Sequence, residues 1–234
     1  MKIFYHGDIL VRPFRAGDAR ALHRATRDSI EEVCSWMVWC RPDYSIQDTV
    51  RFLSQTARQM DSGERYSFAI MDRADTLLLG SVGLSGIDRT HRFATVGYWV
   101  RSGWTGRGIG SAAAYLAARF GFQELGLHRL ELIVPVGNSA SEKVASRIGA
   151  QREGILRNRV VLQGEARPAL MMSLLPGDLI SCEARLPSEA SSDQLFRGTD
   201  FGTKWGRCRT SADPKQEIYD CAAPLPFPSW RGAD

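Results

Sequence analysis

The sequence predicts a mixed α/β domain whose sheet is mostly antiparallel, and three observations predict it. Runs that are apolar or alternate in polarity, at residues 66–71, 76–84 and 92–100, follow one another with only short turns between them, as in an antiparallel meander. The third run opens into a loop holding Gly103, Gly106, Gly108 and Gly110 and passes directly into an Ala-rich helix. That helix leads to a further apolar run at 130–136, and two strands joined through a helix lie parallel in one sheet.

The elements follow in order. Leu10 to Phe14 reads as a short strand, and residues 17–22 as a turn in which Asp18 caps a first helix. Residues 31–39, with Val33, Trp36, Met37 and Trp39, form a helical or irregular apolar segment that must end before Pro42. Each tryptophan, taken alone, is expected in the core. Ser45 and Asp48 open an amphipathic helix with Val50, Leu53, Ala57 and Met60 at helical spacing, closed by Gly63. The first two meander strands turn around Arg73-Ala74-Asp75. In the helix after the glycine loop, Ile109, Ala113, Leu116 and Phe120 make one stripe against the sheet, and Gly126 ends it. Past Asn138, Ser139 as N-cap with Glu142 forms a capping box, and Gly149 closes that helix. Residues 155–162 and 169–175 pair as a hairpin over Gln163-Gly164-Glu165. The domain is expected to span 1–177, and 178–234, rich in Ser, Pro, Gly, Asp and Arg without a period, to be a poorly ordered extension.

Composition bounds the function. A chain of 234 residues, 44% hydrophobic, can bury a substantial core. Residues 1–10 lack the apolar core of a signal peptide, and no apolar run approaches membrane-spanning length. The five cysteines (Cys34, Cys40, Cys182, Cys208, Cys221) are odd in number and lack C-x-x-C spacing, so neither a disulfide framework nor a zinc site is expected, and a reduced cytoplasm is the expected home. A net charge of +4 is too modest to imply nucleic-acid binding.

The chemistry centres on the glycine loop. Glycines there admit backbone conformations that a Cβ forbids, and the first turn of the following helix offers unpaired N–H groups with partial positive charge, a setting for phosphate or pyrophosphate. A P-loop is excluded, because no lysine lies between Lys2 and Lys143. Gly108, Gly110 and Ala113 satisfy the dinucleotide spacing G-x-G-x-x-G/A, but the next strand ends in Gly137-Asn138 rather than in the acid that would hold a ribose. The plainest alternative is a glycine-rich helix cap.

Thr105-Gly106-Arg107-Gly108-Ile109-Gly110 resembles the Q/R-x-x-G-x-G/A signature of the GCN5-related N-acetyltransferase (GNAT) superfamily. Gly97-Tyr98-Trp99-Val100, the run from Glu124 to Arg129, Asn138 to Ser141, Ile148-Gly149-Ala150 and Glu153-Gly154 resemble its ribosomal-protein N-terminal acetyltransferase branch, over roughly residues 8–175. The resemblance implies acetyl-coenzyme A as co-substrate, held between two splayed parallel strands, with the helices around 31–60 flanking an acceptor groove. Its pyrophosphate would meet Thr105, Gly106, Arg107, Gly108, Ile109, Gly110 and Ser111, its pantetheine arm Trp99, Val100 and Arg101, and its other contacts Asn138 and Ser141. A bulge at 99–101 would aim the Val100 N–H at the thioester carbonyl, and the Ser141 hydroxyl would serve the leaving thiolate. Thr105 departs from the usual Gln or Arg, and Pro168 and Met172 stand where the branch has Asp and Tyr.

No base stands out; Glu31, Glu32, His91, Glu153 and Glu165 are candidates, and water suffices for an α-amine with a pKa of ~8. No cysteine lies near the loop, which argues against an acyl-cysteine route and for direct transfer. By the same resemblance, the expected acceptor is a protein N-terminal amine such as that of a ribosomal protein. A small amine such as an aminoglycoside or polyamine, another acyl donor such as succinyl-coenzyme A, and a non-catalytic acyl-coenzyme A sensor remain as alternatives. No membrane partner is expected, and a monomer or homodimer is.

Overall fold

A computed structural model describes residues 3–179 and 218–219. The chain begins with a hairpin of β1 (Ile3–His6) and β2 (Ile9–Pro13), turning at Gly7. Helices α1 (Ala19–Arg27), α2 (Ile30–Cys34) and α3 (Ile46–Asp61) follow. Strands β3 (Tyr66–Asp72), β4 (Leu78–Asp88) and β5 (Phe93–Val100) form the antiparallel meander. Helix α4 (Ile109–Gln123) crosses to β6 (Arg129–Pro135), and α5 (Ser139–Arg147) precedes the hairpin of β7 (Gln151–Leu162) and β8 (Glu165–Leu174). A short α6 (Pro176–Leu179) and the two-residue β9 (Ile218–Tyr219), parallel to β1, complete the described elements. The sheet order is β7-β8-β6-β5-β4-β3-β2-β1-β9, with β5 and β6 parallel and every other pair from β1 to β8 antiparallel. The remainder of the 178–234 extension lies outside the described residues.

The two faces of the sheet have different covers. On one, α4 is buried along almost its whole length, so the expected stripe is only part of its contact; Ala113, Ala114 and Ala118 have no exposed surface, and the small side chains let the helix axis approach the strands. On the other, α1 to α3 pack on Leu10, Ala69, Met71 and Trp99. Alternation along the strands sorts residues between these layers: Ala94 and Val96 join the α4 side and Trp99 the other.

Several local details differ from expectation. The first strand of the sheet is β1, carried by a short run that the sequence pattern does not mark. Asp18 stands at the N-cap of α1 but makes no side-chain cap bond. Its carboxylate instead receives Arg12 Nη1 at 2.8 Å and Nη2 at 2.9 Å, and the Arg15 N–H at 2.7 Å, while Arg12 Nε donates to Asp75 at 2.7 Å. Arg12 is 2% exposed, so this cluster satisfies a charge inside the fold. The cap of α5 is Asn138, whose Oδ1 accepts the Ser141 N–H at 3.1 Å; Ser139, read as the cap, is the first helical residue. Cys34 and Cys40 form a disulfide, contrary to expectation, because the turn after α2 folds back and brings their Cα atoms to 4.7 Å. Trp39 is 43% exposed rather than core. The Ser45–Asp48 capping box is present as read. No described helix is long and apolar enough to cross a membrane.

Burial pushes the Asp18 carboxyl up, but the hydrogen bonds from Arg12 and the Arg15 N–H outweigh it and hold the group below its ordinary value of 3.8. A depressed folded pKa contributes stability above that ordinary value, and the contribution is lost as pH falls through the folded pKa. Asp18→Asn is therefore expected to cost about 3 kcal/mol in urea unfolding at neutral pH, since it strips a partner from a buried guanidinium. The gap between variant and wild type should shrink as pH falls below ~4.

Candidate active site

The site begins where β5 and β6 part. They are paired only at Phe93/Arg129, Ala94/Leu130 and Thr95/Glu131. Beyond that point β5 stays bonded to β4 as far as Val100/Gly80, and β6 to β8 as far as Pro135/Ala169, so a wedge opens between them. The Arg101 N–H donates to the Leu79 carbonyl at 2.7 Å, which turns Arg101 and Trp99 toward β4. By alternation, the N–H groups of Tyr98 and Val100 face the wedge. The ladder is regular through residues 99 and 100, so no bulge lies at 99–101 in β5. The irregularity nearest Val100 is in β4 against β3, where Leu79 is the extra residue between Leu78 and Gly80; the β4–β5 ladder itself shifts only at its far end, between Ser85 and Asp88.

The glycine loop stands at the mouth of the wedge. Gly106 (φ 76°) and Gly108 (φ 78°) occupy the left-handed region that a side chain would strain, and a Cβ on Gly106 would meet nothing within 4 Å. Gly108 is the N-cap of α4, and the first intrahelical bond is the Ala112 N–H to the Gly108 carbonyl at 2.9 Å. The N–H groups of Ile109, Gly110 and Ser111 therefore have no carbonyl four residues back within the helix. The Ser111 hydroxyl is a buried polar atom without a hydrogen-bond partner among the described residues. These groups fit a pyrophosphate. Arg107 lies over the Trp104 ring, 4.9 Å from its centre, and Thr105 is exposed beside it. The start of the loop is pinned from the other face of the sheet: the Ser102 N–H donates to Ser29 Oγ at 2.8 Å, and Arg101 Nε to Asp28 at 3.0 Å.

The other lip is the first turn of α5. Asn138 is buried and its side chain is spent on the cap, while Ser141 is half-buried. Tyr98 joins the lips: its hydroxyl donates to the Ser141 carbonyl at 3.5 Å, and its ring lies 3.4 Å from where a Cβ on Gly110 would be. Burial pushes the Tyr98 phenol up to about 12, the bond to Ser141 opposing, so it is protonated at neutral pH. No local pattern signals this side chain's position, because only the fold brings β5 under α5.

A family model for the acetyltransferase (GNAT) domain matches residues 8–151. The chain belongs to the GNAT acetyltransferase family. Among curated proteins, YjcK of Bacillus subtilis, described as an N-acetyltransferase, is 29% identical over 174 residues, 73% of this chain and 95% of YjcK. YdaF of the same organism, described as a ribosomal N-acetyltransferase, is 35% identical over 101 residues, 43% of this chain and 55% of YdaF. Spermidine N(1)-acetyltransferase of Escherichia coli is 32% identical over 95 residues, 41% of this chain and 51% of its own. The structure of Mycobacterium smegmatis RimJ in complex with CoA-disulfide superposes with a TM-score of 0.69 at 25% identity, covering 76% of this chain and 86% of RimJ. This GNAT protein is an acetyl-coenzyme A-dependent N-acetyltransferase.

On the face opposite α4 lies a groove of about 410 Å³. Its floor is low because Ser67, Gly83 and Gly97 face one another across three strands. A Cβ on Gly97 would meet nothing within 4 Å. Its walls include Thr26 of α1, Met37 and Trp39 of the disulfide-closed loop, and Phe52 of α3. The expected flanking segments are there, and α1 joins them. None of Glu31, Glu32, His91, Glu153 and Glu165 lines it. Hydrogen bonds from Arg129, then Ser173, hold the Glu153 carboxyl down at about 2.

Gly108→Asp places a side chain and a negative charge at the N-cap of α4. Coenzyme A at one hundred times its dissociation constant should stabilise the wild type by about 2.7 kcal/mol. A thermal-shift titration should find that stabilisation lost in Gly108→Asp, whose melting temperature without ligand reports its folding.

Proposed function

We propose that the enzyme acetylates the α-amine of a protein N-terminus, a ribosomal protein being the class that the resemblance to YdaF supports. The reading rests on the state of the one carboxylate among the described residues lining the groove. Asp48 is held by the Ser45 hydroxyl at 2.7 Å, the Ser45 N–H at 3.0 Å and Arg41 at 2.8 Å. These bonds, that of the Ser45 hydroxyl foremost, keep it ionised below its ordinary range. It is a poor base, so the acceptor must supply its own neutral amine. An α-amine, with a pKa of ~8, does so readily, whereas a lysine-like amine at ~10.4 has roughly 250-fold less neutral form.

Bound acetyl-coenzyme A supplies an acyl thioester. The N–H groups of Ile109, Gly110 and Ser111 hold its pyrophosphate. The Val100 N–H donates to the carbonyl oxygen as negative charge develops there. The Ser141 hydroxyl, in the first turn of α5, relays to the departing thiolate the proton that the attacking amine loses, and the Tyr98 hydroxyl positions the turn through the Ser141 carbonyl. Trp99 and Arg101 shape the wedge rather than donate into it, since their backbone faces β4.

Initial rates of coenzyme A release should separate the acceptors. A lysine-free peptide with a free N-terminus should be acetylated with a pH profile following an amine near ~8. An Nα-blocked lysine peptide should be on the order of a hundredfold slower at pH 7.5. Faster turnover of spermidine or of the blocked peptide would overturn the reading. Gly97→Leu, which fills the groove, should raise the peptide KM about tenfold, ~1.4 kcal/mol, while stabilisation by coenzyme A persists.

A further inference from the structure

The rim of the groove has a charge pattern that the α-amine reading does not use. Three guanidinium groups, Arg41, Arg51 and Arg65, line it against the single carboxylate of Asp48. Asp48 is shared by Arg41 at 2.8 Å and Arg51 at 3.5 Å, and Arg41 also binds Asp43 at 2.8 Å. Arg65 is exposed and has no carboxylate partner among the described residues. The groove thus carries excess positive charge, concentrated where Arg65 stands.

Arg65 has a defined place along the groove. It immediately precedes β3, whose first residue, Tyr66, faces Leu84 of β4. It therefore stands level with Ser85, at the opposite end from Trp99 and the Val100 N–H. Val100 faces Gly80, and Ser85 lies five residues on along β4. At about 3.3 Å per residue the separation is roughly 17 Å. An extended peptide whose amine is at the wedge spans that distance with about five residues.

We infer that the groove selects N-termini carrying a carboxylate about four to six residues after the α-amine, with Arg65 as the specificity-determining residue. The inference rests on the α-amine reading. An acidic side chain there meets an unmatched guanidinium, while a polycationic acceptor meets like charge along the rim. The positive rim also favours the neutral form of the incoming amine.

The test uses three lysine-free octapeptides that differ only at the fifth residue, with Glu, Gln or Lys there, on the full chain and on Arg65→Glu. In the wild type at low salt the Glu peptide should have a KM about threefold to fivefold below the Gln peptide, as an exposed charge pair allows, with the Lys peptide weakest. The spread should shrink as salt is added. Arg65→Glu should invert the order of the Glu and Lys peptides, and an unaltered thermal shift with coenzyme A establishes that it is folded. Equal KM values for the three peptides in the wild type, or an unchanged order in the variant, would overturn the inference and leave the α-amine reading standing. Turnover of spermidine with none of the peptides acetylated would overturn both.

Discussion

The site depends on one interruption of hydrogen bonding: β5 and β6 pair for three residues and then part. A continuous ladder would consume the N–H groups of Tyr98 and Val100 within the sheet. Because each strand keeps its outer neighbour, the separation costs only the bonds inside the wedge, and polar groups of the backbone are left facing a gap lined by helix starts. Both the glycine loop with α4 and Asn138 with α5 begin at this opening, so two sets of helix N-terminal amides converge on it.

The two faces of the sheet are coupled through the lip of the loop. Ser29 accepts the Ser102 N–H and donates to the Ala25 carbonyl at 2.7 Å, so the end of α1 is tied to the start of the glycine loop. Arg101 with Asp28 makes a second tie. The groove on that face exists because small residues lie in register across β3, β4 and β5. Gly83 cannot be enlarged without meeting the Tyr66 carbonyl at 2.3 Å, whereas Gly97 opens onto free space. One glycine is required by packing and the other leaves the groove empty.

Much of this was legible in the chain itself. The meander, the α4 crossover and the glycine loop follow from short-range signals: alternation, turn residues, and glycines before an Ala-rich run. Where the reading failed, a local signal competed with a contact made elsewhere. Ser139 and Glu142 have the spacing of a capping box, yet Asn138, one residue earlier, reaches the Ser141 N–H first. Asp18 has the position of a cap, yet the buried Arg12 claims its carboxylate. Cys34 and Cys40 lack a recognisable spacing, and only the turn after α2 brings them together.

The sequence alone determined the order and kind of the main elements and marked the glycine loop as a setting for a phosphate, because φ, ψ preferences and the spacing of glycines act between neighbours in the chain; acetyl-coenzyme A itself came from the family resemblance. The tertiary structure decided which backbone amides face the wedge, that the Tyr98 hydroxyl meets α5, that Glu153 is paired with Arg129, and that Arg41, Arg51 and Arg65 share one groove. Each of these joins residues from different elements, and their distances are set by strand register and layer packing, which no periodicity within a single segment encodes.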